Sequence, residues 1–176
     1  NAGKSSVLRG LSGQHEIVVE DRLFATLDPL TREVDLGDHQ SVLLTDTVGF
    51  IRKLPHHLVA SFRATLEEVH EADLLLHVID ASHPSWEEQR LVVDDVLADL
   101  AVQDVPMVYV FNKTDRLEPE VREALAARID NLAPGSIFTS ATDANGLEPL
   151  RALLRERLRN RRPEVELLLP MTDGKL

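Results

Sequence analysis

The 176 residues carry 30 Asp and Glu against 19 Lys and Arg, a formal net charge of −11 at pH 7, with 43% apolar and 28% charged residues. That mixture reads as one soluble globular domain with room for a buried core. An acidic chain of this kind is a poor autonomous nucleic-acid binder, because phosphate neutralisation supplies most non-specific affinity; no DNA partner is expected, and RNA would have to be gripped by a local basic patch or by other segments. Cysteine is absent, which removes disulfides, thiolate catalysis and Cys-based zinc sites. With no apolar run of roughly 18 residues to cross a bilayer, a cytoplasmic protein is expected, peripheral membrane attachment being left open.

Asn1-Ala2-Gly3-Lys4-Ser5-Ser6 opens the chain as the second half of a phosphate-binding loop, G-x-x-x-x-G-K-[ST]. Its first Gly and the strand that launches such a loop are expected ahead of Asn1. A short helix follows over Ser5 to Leu11, with Val7, Leu8 and Leu11 on one face. Residues 14 to 30 show no steady period and read as a long functional loop. Thr31–Leu36 and Ser41–Thr45 flank the turn Gly37-Asp38-His39, which predicts a hairpin. Leu58, Phe62, Leu66 and Val69 then recur at helical spacing. Asp73–Ala81 and Pro106–Phe111 are near-continuous apolar strands of the sort buried on both faces of a parallel sheet. Helices are expected over Pro84–Leu100, Pro119–Leu132 and Leu147–Leu158, with a short strand over Ser136–Thr139. Strand alternating with helix predicts a doubly wound, mostly parallel α/β domain over residues 1–162, with its ligand at the strands' carboxyl ends. The absent first strand would lie between the hairpin and the Leu74 strand. Residues 163–176, with a strand-like Glu164–Leu169, belong to something else.

The chemistry sits in four places. Backbone N–H groups of residues 1–6 would curl around phosphates, Lys4 would reach the β- and γ-phosphates, and the Ser5 hydroxyl would ligate Mg²⁺. Asp46 closes the second hairpin strand, where a carboxylate can hold the Mg²⁺ and the Gly49 N–H can bond a γ-phosphate oxygen. In Asn112-Lys113-Thr114-Asp115, the Asp115 carboxylate can accept both the N1–H and the 2-amino group of guanine, a donor pair that adenine lacks. Asn112 would tie the base loop to the phosphate loop, the Lys113 stem would cover the ring, and Ser140-Ala141 could aim a backbone N–H at the guanine O6. Thr26, in the long loop, can place its hydroxyl on Mg²⁺ and its N–H on the γ-phosphate; Thr31 and Thr47 are alternatives, and a plain turn residue is the bland one. In this order the motifs predict a GTPase of the P-loop, Ras-like kind, with Lys4, Thr26 and Gly49 serving hydrolysis. Phe50 stands where Ras-type enzymes carry the Gln that orients the attacking water. Turnover should therefore be slow unless a group is supplied in trans. Arg22 and Arg32 could supply charge in cis, solvated loop positions being the bland alternative.

The string Val19-Glu20-Asp21-Arg22-Leu23-Phe24-Ala25-Thr26-Leu27-Asp28-Pro29 resembles the first switch of the HflX family of ribosome-associated GTPases. Asp46-Thr47-Val48-Gly49-Phe50-Ile51, with Leu54-Pro55-His56, is similar to its second, and Phe62–Glu68 and Ala72–Val78 continue the likeness. The resemblance implies GTP and GDP as ligands and the 50S ribosomal subunit as partner, with hydrolysis stimulated there and a role in splitting or rescuing stalled ribosomes. It also makes Leu167-Leu168-Leu169-Pro170 the start of the family's C-terminal extension. A monomer is expected. A GTP-dependent binding switch with no catalytic need, or a related Era, Obg or TrmE type, are the alternatives. Three weaker features remain. His56-His57 diverge too much to ligate a metal, His77 reads as a core histidine, and the arginines from Arg151 to Arg162 read as a solvated helix face or an rRNA contact.

Overall fold

The computed structural model describes residues 2–13, 30–47, 69–99, 102 and 104–161. Helix α1 (Lys4–Ser12) begins after Gly3, whose φ of 94° lies in the left-handed region that a Cβ disfavours, and ends at Gly13, whose N–H reaches the Arg9 carbonyl at 3.1 Å. Val7, Leu8 and Leu11 are buried on one side of it, as their spacing requires. Strands β1 (Leu30–Gly37) and β2 (Gln40–Asp46) pair antiparallel through a two-residue turn, Asp38-His39, with φ of 54° and 56°. Two positive φ values give the turn the twist that matches the strands it joins. Val34 and Leu36 are buried, and Val42 and Leu44 pack with them. Period-two alternation carries the inward face of β2 on to Asp46, which is buried at the strand's end.

A second sheet is parallel, in the order β3 (Leu75–Asp80), β4 (Met107–Asn112), β5 (Ile137–Phe138). Helices α2 (Trp86–Asp99), α3 (Pro119–Leu132) and α4 (Glu148–Arg161) connect or follow its strands. Strand β4 shows why such strands are apolar throughout. Val108 and Val110 join α1, the hairpin and α4 through Val7, Val34 and Leu150, while Phe111 faces Trp86 and Ile129 of α2 and α3. The Trp86 ring stands edge-on to Phe111 at 5.2 Å, and Phe138 stacks on Phe111 at 5.4 Å. Truncating Phe111, which has no exposed surface, to Ala would cost about 3–5 kcal/mol.

The α/β fold and its parallel sheet are as expected, with two differences in detail. The strands form two sheets rather than one: among the described residues β2 and β3 do not pair. Strand β5 is shorter than Ser136–Thr139, because the Thr139 carbonyl is taken by the N–H and hydroxyl of Thr114 at 3.1 and 2.9 Å instead of by a ladder. Of the helix expected over Leu54–Val69, only its end lies within the described residues; Val69 and His70 are helical.

Candidate functional site

Parallel register brings the carboxyl ends of the strands to one edge of the second sheet, with Asp80 opposite Asn112 and Phe111 opposite Phe138. The start of α1 is held at this edge from both sheets. From the hairpin side, the Ser5 hydroxyl donates to Asp46 Oδ2 at 2.5 Å, across 41 residues of sequence. From the other, Asn112 Nδ2 donates to the Ala2 carbonyl at 3.0 Å. Gly3 has to be glycine on two counts: its φ is 94°, and a Cβ would stand 2.5 Å from Asn112 Nδ2. Lys4, Ser5 and Ser6 form the first turn of α1, where the helix dipole favours an anion.

Asn112 is almost fully buried and uses both ends of its amide. Its Oδ1 accepts from Thr139 Oγ1 at 3.3 Å and from the Ala141 N–H at 3.2 Å. One side chain thus touches the start of α1 and the segment Thr139–Ala141. Lys113 follows with φ 67° and places Nζ 2.6 Å from Asp80 Oδ2. Asp115 Oδ1 accepts the Ser140 hydroxyl at 2.7 Å. The Ser140 N–H donates to the Gly146 carbonyl at 3.0 Å, and a Cβ on Gly146 would fall 2.1 Å from the Ser140 oxygen. The Ser140 and Ala141 N–H groups have acceptors within the protein, Gly146 and Asn112, and the Ser140 hydroxyl holds Asp115.

Ser5 and Asp46 offer hard oxygen donors side by side, the chemistry Mg²⁺ selects. Among the described residues no cluster of three or more His, Asp or Glu could hold a metal alone, so phosphate oxygens and water would complete the shell. The donor set fits that ion. Asn1, Thr26, Gly49, Phe50 and Arg22 lie outside the described residues. Of the alternatives to Thr26, Thr31 hydrogen-bonds Thr45 at 2.8 Å on the outward face of the hairpin, opposite the Asp46 face. Arg32 turns back to the Thr31 carbonyl at 3.1 Å.

Asp80, which helps hold this edge together, was not singled out from sequence, and the arginines of α4 do work other than that expected of them. Asp80 accepts the N–H and hydroxyl of Ser82 at 3.0 and 2.6 Å besides Lys113. Burial raises its pKa, but the hydrogen bonds from Lys113 and Ser82 outweigh that and hold the carboxyl below the usual range. The available signal was a charged residue ending an apolar strand, as Asp46 does. Arg151 donates to the Gly10, Leu11 and Asp35 carbonyls at 3.3, 2.6 and 2.8 Å, satisfying the free end of α1. Arg155 pairs with Glu148, and Arg159 with Asp38 at 3.2 Å, so this side of α4 is engaged within the chain. His77 is a core histidine, its Nδ1 3.4 Å from Asp94.

A glycine-opened helix tied to a strand-end carboxylate, and bonded to an Asn-Lys-x-Asp loop whose Asn112 is buried, defines a P-loop GTPase-type nucleotide domain. Solved structures share the fold. A GTP-binding protein of Sulfolobus solfataricus in complex with GDP matches 91% of this chain and 50% of its own, with 25% identity and a TM-score of 0.70. Era of Aquifex aeolicus, bound to GDP and AlF4⁻, matches 97% and 56% at 22% identity and a TM-score of 0.68, a likeness of fold alone. Residues 1–113 match the family described as 50S ribosome-binding GTPase, and the chain belongs to that family, on its HflX side. GTPase HflX of Magnetococcus marinus is 48% identical over 99% of this chain, and that of Escherichia coli K12 is 40% identical over 100%. The chain spans 39% and 41% of those relatives' lengths.

Proposed function

We propose that residues 1–162 are the guanine-nucleotide-binding and GTP-hydrolysing domain of an HflX-type protein that works on the large ribosomal subunit, in the cytoplasm and as a monomer. Residues 163–176 begin a further segment on this reading. The observation that carries it is the Asn112 amide, which locks the start of α1 to the loop bearing Ser140 and Ala141. That link supports reading the start of α1 as a phosphate grip and the Asn112–Asp115 loop as a base reader for one nucleotide.

In this reading the backbone of residues 1–6 cradles the phosphates and Lys4 neutralises charge on the β- and γ-oxygens. Ser5 and Asp46 would hold Mg²⁺, joined by Thr26; when bound, the ion supplies charge neutralisation across those two phosphates. The Gly49 N–H fixes the γ-phosphate. Asp115, oriented by Ser140, accepts the two guanine donors, and adenine would leave it desolvated and unpaired. Phe50 cannot orient a water molecule, so the ribosome or a rearranged loop completes the machinery. Splitting or rescue of stalled ribosomes is the work such a domain would drive.

Asp115→Asn tests the base reader. It should move the preference from GTP to XTP, reversing a discrimination on the order of 10⁴. Unchanged selectivity would remove the assignment. The second reading, a switch whose GTP state docks and is merely reset by hydrolysis, is favoured by Phe50. A non-hydrolysable GTP analogue that supports full action on ribosomes would decide for it.

A further inference from the structure

We propose that Asp80 is a positioning residue for the nucleotide. It anchors the Lys113 ammonium so that the lysine stem becomes a fixed floor for the base beside the phosphate loop. This rests on the guanine-nucleotide reading above and extends it to a residue outside the recognised motifs.

The register of β3 against β4 sets Asp80 beside Asn112, one position from Lys113. The pairing is continued past the strand ends by the Ala81 N–H, which donates to the Asn112 carbonyl at 2.9 Å. Ser82 occupies Asp80 Oδ1 from its N–H and its hydroxyl, at 3.0 and 2.6 Å, which fixes the carboxylate plane and aims Oδ2 at Lys113 Nζ, 2.6 Å away. The two side chains are only 14% and 20% exposed, so the pair is weakly screened. Lys113 meets it from a left-handed backbone conformation, held in place by Asn112 on one side and Thr114 on the other. Between these anchors the methylene stem passes the phosphate loop, with Cε 3.8 Å from where a Gly3 Cβ would stand.

A lysine side chain free to rotate would lose that freedom each time a base settled on it, and its ammonium would compete with Lys4 for the phosphates. Pinned to Asp80, the stem is ordered before ligand arrives and the ammonium charge is neutralised where it sits. The carboxyl, held below its usual pKa range chiefly by Lys113 and Ser82 against the effect of burial, keeps that charge throughout the neutral range.

The test measures labelled-GDP affinity and melting temperature of the full chain as Asp80→Asn, Lys113→Met and the double variant. Asp80→Asn keeps an acceptor for Ser82 but loses the charge, and should weaken GDP about tenfold. In the Lys113→Met background the same change should have no effect, because the group it orients is gone. Additive losses, or wild-type affinity in Asp80→Asn, overturn the proposal. The GDP-to-XDP ratio should stay unchanged in Asp80→Asn, whereas Asp115→Asn shifts it; an altered ratio would mean that Asp80 reads the base itself and overturns the positioning role. If Asp80→Asn fails to melt cooperatively, Ser82→Ala replaces it, with an expected loss of about threefold that again vanishes beside Lys113→Met. Failure of the unaltered chain to bind GDP overturns the parent reading as well; binding with a neutral Asp80→Asn overturns this one alone.

Discussion

At the proposed base end, Asn112, Lys113 and Asp115 each meet a side chain from another segment: Thr139 and Ser140 just after β5, and Asp80 at the end of β3. At the proposed phosphate end, Ser5 at the start of α1 meets Asp46 at the end of β2, while Thr26 and Gly49 belong to stretches outside the described residues. The base end is built from consecutive strands of one parallel sheet, so its geometry is set once the register is set. The phosphate end depends on how the hairpin and α1 sit together, through Val7, Leu11, Val34 and Leu36 and through one short polar contact. The difference teaches that the proposed base reader is held by contacts that come with the parallel register, whereas the proposed phosphate grip rests on packing between the hairpin and α1.

The sharpest way to break that contrast is at the phosphate end. Lys4→Ala should reduce GTP affinity on the order of a thousandfold, since two charge-assisted contacts are lost, with little change in melting temperature. Retained tight binding in a titration would mean that the loop is not a phosphate site. Gly3→Ala joins the two ends, because its Cβ would strike the Asn112 amide at 2.5 Å in a strained backbone. It should cost about 2–3 kcal/mol in urea unfolding and lower nucleotide affinity together. A stability loss without an affinity loss would uncouple the ends. Arg151→Ala, remote from the cleft, should cost about 1 kcal/mol by leaving the α1 carbonyls and Asp35 without their donor. A thermal melt would show it.

The smallest effect is a pH dependence. Burial lowers the His77 pKa below 6.5, opposed by Asp94, with Arg90 from the same helix and Tyr109 from β4 alongside. The unfolded chain therefore takes up a proton below 6.5 that the folded chain refuses until its own lower pKa. Stability should fall as pH drops through that window, by at most about 1.4 kcal/mol per unit, and His77→Gln should flatten it. Asp80 acts lower still: its stabilisation is present above 3.8 and is lost as pH falls through its depressed folded value. Denaturation midpoints measured across pH would separate the two.

Much of this was legible in the chain itself. The hairpin followed from alternation around Gly37-Asp38-His39, and the parallel strands from unbroken apolar runs. The bridging amide of Asn112 followed from its place at a strand end in Asn-Lys-x-Asp. The acceptors taken by the Ser140 and Ala141 N–H groups were not legible, since they depend on Gly146 bringing the chain back within hydrogen-bond reach. Nor was the work of Arg151, read as a solvated or RNA-facing arginine. Its acceptors lie 116 to 141 residues away and are main-chain atoms, which carry no sequence signature.

The sequence alone determined which residues stand at the strand ends, Asp46 and Asn112 among them, because period and motif spacing fix what closes each strand. Tertiary structure alone decided what holds those groups. The pairing of Asp80 with Lys113 arises from strand register, and that of Ser5 with Asp46 from hairpin-to-helix packing. Both are non-local, and a linear pattern cannot encode which of many carboxylates a given lysine or serine will meet.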